Sequence, residues 1–315
     1  MSSAASHFGK PLEKPTKSYL VQKFAKLAFG PYTILGYSVA GEETVIQVPE
    51  LNVCFDFGRA PQFMLSSDIV CVSHAHMDHL AGVAYYLSQR HFQGMKNSTV
   101  LVPDPMFEDV DRLMAQWRRL EGQDVPFELV GMEPGLRFDV RKDFAIEAVR
   151  THHGRHSLGY VLIEIRQKLK PEYHDRTGDE IAQLRTDGVD VHYKLEVPLI
   201  AFLGDTSAGT VFEHDLVKNA RILLTECTFF DDEHRRKAKA GKHLHMDQFA
   251  EILPTLNNES IVIGHVSRRT GVARAKHLLR KTIGSESMER VHFLMDLDDA
   301  TAGGDIDEGT VAFDD

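Results

Sequence analysis

Ser73-His74-Ala75-His76-Met77-Asp78-His79 decides the reading of this 315-residue chain. It follows the short apolar run 69–72, which reads as a buried strand. It precedes residues 80–87, Leu-Ala-Gly-Val-Ala-Tyr-Tyr-Leu, which read as a helix packed on its neighbours. Three imidazoles and one carboxylate are therefore crowded where a strand ends. Neutral imidazole and carboxylate suit zinc, iron or manganese. A polar loop with incidental histidines would not usually hold an Asp inside such a cluster.

The pattern His-x-His-x-Asp-His resembles the signature of the metallo-β-lactamase superfamily. That resemblance implies an αββα sandwich, two facing mixed sheets flanked by helices, with two metal ions side by side. It implies that His74 and His76 hold one ion and Asp78 with His79 the other. It also implies three later ligands at strand ends: a His, a bridging Asp and a last His. The chain offers these in order. Phe144–Arg150 alternates as a strand and ends in Thr151-His152-His153-Gly154-Arg155-His156. The apolar run 197–203 ends in Gly204-Asp205-Thr206, and Ser260–Gly264 ends in His265. Each candidate sits at the carboxyl end of an expected strand, where α/β architectures gather their sites.

Within the superfamily the chain is most similar to the ribonuclease Z branch, whose members cut precursor tRNA after its 3′ end. His153-Gly154-Arg155-His156-Ser157-Leu158-Gly159-Tyr160 resembles that branch's His-Gly-x-x-Ser-x-Gly-Tyr, which makes His153 the third His ligand rather than His152. Thr225-Glu226-Cys227-Thr228-Phe229 resembles its His-Glu-Ala-Thr loop. His245-Met246-Asp247 stands where the branch has His-Ser-Thr opening a helix, and His265-Val266-Ser267-Arg268-Arg269 resembles its final His-x-Ser-x-Arg. Asp56-Phe57-Gly58-Arg59-Ala60-Pro61-Gln62 is a weaker match to Asp-x-Gly-Glu-x-x-Gln, with Arg59 in place of the Glu. The likeness spans roughly residues 30–295.

The resemblance assigns the sites. The metal set is His74, His76, Asp78, His79, His153, Asp205 and His265, with Asp205 shared. Two divalent ions are expected, zinc first, with iron or manganese as alternatives. The catalytic set is Asp78, Glu226 and His245. His245, oriented by Glu226, is the expected proton donor to the leaving oxygen, because a carboxylate partner keeps an imidazole protonated near neutral pH. His243 is the rival. His245 is preferred because Asp247 reads as the N-cap of a helix over 248–253, which puts His245 in the loop before it. Ser267, Arg268 and Arg269 are the expected substrate-binding residues, since guanidinium suits a phosphate oxygen.

The interval 166–196 departs from the branch. Many relatives carry there a long Gly/Pro-rich arm that grips the tRNA elbow. Here it holds one Pro and two Gly, and residues 179–185 read as a short capped helix. The expected substrate is therefore a phosphodiester, RNA included, with measurable hydrolysis of bis(p-nitrophenyl) phosphate and weak or absent 3′ processing of precursor tRNA. A homodimer partner could supply the missing surface.

Composition agrees with an enzyme of this kind. No Pro/Gly/Ser-rich linker divides the chain, so one domain is expected over 18–295. Residues 1–17 are polar and expected to be mobile; they lack the apolar core of a signal peptide. No run is long enough to cross a bilayer, so no membrane partner is expected. Cys54, Cys71 and Cys227 lie in or beside apolar runs, which reads as buried thiols in a reducing, cytoplasmic compartment. Of the formal net charge of −10, eight negative charges sit in the last twenty residues, which carry no Lys or Arg and read as a solvated tail, 296–315. The body is thus nearly neutral and shows no broad positive surface for a long nucleic acid. Residues 105–120, with Val110, Leu113, Met114, Trp117 and Leu120 at helical spacing, read as core packing.

The expected activity is dimetal phosphodiester hydrolysis. The alternative on the same fold is an acyl hydrolase of thioesterase or β-lactamase type; a non-enzymatic metal-bound scaffold ranks below both.

Overall fold

The computed structural model describes residues 24–296. The expected mobile segment 1–17, and the acidic tail beyond Asp296, lie outside the described residues. The described chain forms two seven-stranded sheets. The first runs β1 (Ala25–Phe29), β2 (Tyr32–Val39), β3 (Glu43–Val48), β4 (Val53–Phe55), β5 (Ile69–Cys71), β6 (Thr99–Pro103), β7 (Glu128–Met132). The second runs β8 (Arg137–Arg141), β9 (Phe144–Arg150), β10 (Leu158–Leu169), β11 (His192–Phe202), β12 (Ile222–Glu226), β13 (Ser260–Gly264), β14 (Val291–Phe293). In each sheet the first four strands pair antiparallel and the last four pair parallel. No sequence repeat announces this doubling.

The parallel strands are apolar on both faces, as strands covered from both sides must be. On β12, Ile222 and Leu224 enter the cluster between the sheets while Leu223 faces the outer helices. On β5, Ile69 and Cys71 face inward and Val70 outward. Helices α2 (Val83–Phe92) and α3 (Phe107–Glu121) cover the first sheet. Helices α7 (Met246–Ile252) and α8 (Val272–Met288) cover the second, with the short α5 (Asp215–Lys218) and α6 (Arg235–Gly241) preceding them in sequence. The sandwich with helices on both outer faces is the expected fold class.

Two local expectations need correction, and a third, the short capped helix over 179–185, is borne out. The helix expected over 80–87 is two helices, α1 (Met77–Leu80) and α2, broken at Gly82. A Cβ at Gly82 would lie 2.5 Å from the Ala60 backbone nitrogen, so only glycine lets the chain pass there. On α3, Val110 and Met114 are buried, but Leu113, Trp117 and Leu120 stay exposed; the stripe is only partly core. The interval 166–196 is a ribbon. Arg166 to Leu169 of β10 pair with Leu195 to His192 of β11, and α4 (Gly178–Thr186) lies between the two strands in sequence. A capping box between Thr177 and Glu180 starts α4, which buries no residue.

Candidate metal centre

The site lies at the carboxyl ends of β5, β11, β12 and β13, together with the β9–β10 turn. The His74–His79 stretch leaves β5 and enters α1, with His76 at the helix N-cap. Gly204, just before Asp205, has φ +57, and a Cβ there would meet Ser73 Cβ at 2.7 Å. Glycine is required for Asp205 to approach the first histidine loop. His265 itself has φ 58, a strained backbone that turns its ring back over the strand end.

Eight side chains gather into three overlapping groups of potential ligand atoms, two of them built from the seven expected ligands and the third from His243 with Asp205 and His265. Of the first two, His74, His76, His153 and Asp205 form one; Asp78, His79 and His265 form the other. In the first, His74 Nε2 lies 2.9 Å from His76 Nδ1, and His153 Nε2 lies 3.3 Å from it. Asp205 Oδ2 lies 3.7 Å from His74 Nε2 and 3.8 Å from His153 Nε2. The other oxygen, Oδ1, lies 3.5 Å from His79 Nε2 and 3.4 Å from His265 Nε2. Asp78 Oδ2 completes that side at 3.7 Å from His79 Nε2 and 3.4 Å from His265 Nε2. Asp205 therefore offers one oxygen to each group.

These residues fit metal ions. Ligands at about 2.0–2.1 Å around a tetrahedral ion sit roughly 3.3 Å from one another. His79 Nε2 and Asp205 Oδ1 are buried without a hydrogen-bond partner among the described residues. Buried polar atoms are rarely left so unless something else binds them. The outward ring nitrogens of His79, His74, His153 and His265 are occupied. His79 Nδ1 bonds Asp56 Oδ2 at 2.7 Å and His74 Nδ1 meets Ser73 Oγ at 3.0 Å. His153 Nδ1 bonds the Lys242 carbonyl at 3.1 Å, and His265 Nδ1 meets Thr228 Oγ1 at 3.0 Å. Such partners fix each ring with its other nitrogen toward the ion. The Gly41 amide donates to Asp78 Oδ2 at 2.9 Å. Burial holds the His74 and His153 pKa values down, toward the neutral form a ligand needs. Burial pulls His79 the same way, but the Asp205 and Asp56 carboxylates outweigh it and raise its pKa.

Asp56 was quoted in sequence only as part of a weak motif. It is fully buried and also accepts from the Ser73 amide and hydroxyl. The signal was available: it follows the apolar run Val53–Phe55 of β4, the same strand-end rule that found the other carboxylates. His152, set aside in sequence, turns away and meets Thr210 Oγ1 at 3.1 Å.

The acid–base assignment is corrected. Glu226 does not orient His245. His243 Nδ1 lies 2.9 Å from Glu226 Oε1, and His243 groups with Asp205 and His265. Glu226 is held by the Thr206 amide at 2.7 Å, the Leu244 amide at 3.2 Å and the Thr228 hydroxyl. Burial lowers the His243 pKa, but the Glu226 carboxylate prevails and raises it to about 9. His245, not Asp247, is the N-cap of α7: its Nδ1 accepts from the Asp247 amide at 3.2 Å. The sequence preference for Asp at a helix start was overridden by a buried imidazole.

The expected phosphate-binding residues also differ from one another. Arg268 is engaged, donating to Glu42 Oε2 at 2.8 Å and to the Tyr37 hydroxyl at 3.1 Å. Arg269 is exposed and its guanidinium has no ion-pair partner among the described residues. Ser267 is nearly buried, and its hydroxyl accepts from the Arg269 amide at 3.3 Å.

Comparison with known proteins agrees with this geometry. The model of the β-lactamase superfamily domain matches residues 57–266. The tRNase Z TRZ1 of Arabidopsis thaliana is 36% identical over 245 residues, 76% of this chain and 86% of that protein. The ribonuclease Z of Listeria welshimeri is 30% identical over 258 residues, 71% of this chain and 81% of that protein. Among solved structures, the metallo-β-lactamase fold protein YhfI from Bacillus subtilis superposes with a TM-score of 0.56 at 14% identity, covering 82% of this chain and 93% of that one. Human tRNase Z, short form, gives 0.52 at 19% identity, covering 75% and 92%. With the two ligand groups, the shared carboxylate and these likenesses in place, the chain belongs to the metallo-β-lactamase superfamily and, within it, to the ribonuclease Z family.

Proposed function

We propose that the protein is a two-metal phosphodiesterase that cleaves precursor tRNA at its 3′ side. The observation that carries this reading is Asp205, whose two oxygens face two separate ligand groups beside the Glu226–His243 pair. His74, His76, His153, Asp78, His79, His265 and Asp205 would hold divalent ions, zinc on the chemistry of the His/Asp donors, which would supply a nucleophile at neutral pH and offset charge on the phosphoryl oxygens. The chain's own residues do the rest. Asp205 sets the spacing of the two groups. Gly41 holds the Asp78 carboxylate toward them. His243, kept protonated by Glu226, donates a proton to the leaving oxygen. Arg269 is the guanidinium free to meet a phosphate, while Arg268 holds the Glu42 turn.

A tRNA substrate is supported by the relatives' names and by the ribbon over 166–196. Sequence favoured a small diester because no Gly/Pro-rich arm was visible there. The ribbon offers a projecting surface with Arg166, Lys168 and Lys194 on its strands. The reading includes a homodimer, supported by exposed Tyr85, Phe92, Trp117 and Leu120 on α2 and α3. It also includes a reducing compartment, supported by three buried unpaired cysteines.

The test compares turnover of precursor tRNA, bis(p-nitrophenyl) phosphate, a β-lactam and a thioester by the zinc-loaded chain. Correctly placed tRNA cleavage is expected. Activity on the thioester or β-lactam with none on either diester moves the protein to the acyl-hydrolase class. Diester turnover with no tRNA cleavage restores the small-substrate reading.

A further inference from the structure

His245 belongs to neither ligand group and does not contact Glu226, yet it is 3% exposed and both its ring nitrogens are used. We infer that His245 is a positioning residue: it staples the 242–246 loop so that one short segment holds both the His153 ligand and the His243 donor.

The loop carries two unrelated duties on adjacent residues. The Lys242 carbonyl accepts from His153 Nδ1 at 3.1 Å, and so points His153 Nε2 into the first ligand group. The His243 ring, one residue on, meets Glu226. Lys242 sits in the left-handed region at φ 55 as the residue that ends α6, and the His243 amide bonds back to the Ala238 carbonyl at 2.9 Å, so the helix fixes the near side of this carbonyl. The far side is fixed beyond residue 243.

The holding contacts converge on residues 244–246. His245 Nε2 donates to the Asp231 carbonyl at 3.2 Å, and Nδ1 accepts the Asp247 amide at 3.2 Å. The His245 amide is in turn held by Gln248 Oε1 at 3.2 Å, completing the cap of α7. The Met246 amide bonds the Phe229 carbonyl at 2.9 Å, and Phe229 pairs with His245 in an isolated bridge. The loop is thus laid along residues 226–231, the segment that also carries Glu226. Here His245 is the side chain that joins the two segments on the far side of the site: one nitrogen binds the Asp231 end, the other starts the helix. An Asn or Thr could replace the cap but not reach both partners. Removing the ring releases the loop, and the carbonyl at 242 and the ring at 243 drift together.

The experiment measures zinc affinity and turnover on the full chain for His245→Ala and His245→Asn. Competition with a chromogenic chelator reads each Zn2+ affinity without any substrate, so it does not depend on the proposed RNA reaction. In His245→Ala one of the two ions should weaken about 10–100-fold, the usual cost of losing an orienting partner of a metal-bound His. The other should stay within about threefold. Turnover of a poor-leaving-group diester should fall more than that of bis(p-nitrophenyl) phosphate, since the donor is displaced as well. His245→Asn should recover part of the affinity by restoring the cap. A folded His245→Ala with both ions at full affinity overturns the inference: if activity is then lost, His245 acts on substrate itself, and if only the melting temperature falls, it is a helix cap and no more. If His245→Ala does not fold, the Asn variant decides on the same readouts, and full Zn2+ affinity there overturns the inference. Failure on tRNA alone, with the zinc shift present, would count against the proposed substrate and not against this role.

Discussion

The two ends of the sandwich are built by different rules. At one end, four strand termini and a turn place His74, His79, His153, Asp205 and His265 in contact, each less than 6% exposed. Every ring there is fixed from behind by Asp56, Ser73, Thr228 or a backbone carbonyl. At the other end the β10–β11 ribbon runs out with both faces exposed, and α4 packs no side chain into a core. Chemistry needs atoms fixed within tenths of an ångström, and burial supplies that. Recognition of a large polyanion is carried by exposed charge and reach, and exposed residues leave few constraints on sequence.

Asp205→Ala tests the buried end most severely. Because its oxygens serve both groups, the variant should lose both ions by elemental analysis, and hydrolysis with them. Retention of two ions would show that the groups are independent. His243→Ala is expected to keep both ions and lose about 10²–10⁴-fold in rate on RNA, the range for a general acid. The loss should shrink on bis(p-nitrophenyl) phosphate, whose leaving group needs little protonation. An equal loss on both substrates would place His243 in metal binding instead.

Trimming the ribbon, with residues 170–191 replaced by a two-residue turn, tests the exposed end. Turnover of bis(p-nitrophenyl) phosphate should stay within about twofold. Cleavage of precursor tRNA should fall about tenfold or more through KM, with a shallower dependence on salt as phosphate contacts are lost. A fall on both substrates would mean that the ribbon supports the core. The smallest effect is expected at the cysteines. Burial raises the thiol pKa of Cys54, Cys71 and Cys227 well above the usual range. A raised thiol pKa favours the unreactive neutral form, so iodoacetamide at pH 8 should label none of them until the chain is denatured. Rapid labelling of Cys227 would show that the Glu226 end opens.

The sequence reading succeeded where burial constrains residues and failed where it does not. Apolar runs ending in His or Asp pointed to seven of the eight grouped residues, all but His243, because a parallel strand buried on both faces leaves no ambiguity about where it stops. The same logic would have found Asp56. The donor was harder. Both His243 and His245 precede α7, and cap preferences derived from small polar residues pointed to Asp247. What decides between them is a tertiary contact, Glu226 against His243 across 17 residues, which no local pattern encodes. Within the ribbon the capped helix was legible but its two strands were not, because an antiparallel pair with both faces in water lacks the alternation that marks a half-buried strand. Arg268 and Arg269 are alike in sequence; Glu42 and Tyr37, more than 220 residues away, separate them.

The ligands come from both layers. His74 to His79 leave the first sheet, and His153, Asp205 and His265 leave the second. Direct bonds that cross there include the Leu158 amide to the Ser73 carbonyl at 3.0 Å, the Tyr160 hydroxyl to the Val72 carbonyl at 2.8 Å, the His265 amide to Ser38, and Arg268 to Glu42 and Tyr37. Ions bound at this seam would act as rivets. By mass action, free metal at a hundred times its Kd adds about 2.7 kcal/mol to the folded state, and here that cohesion is spent on keeping two sheets together. Chelation should lower the melting temperature, and the Leu158 and His265 amides should be the first in either sheet to gain deuterium.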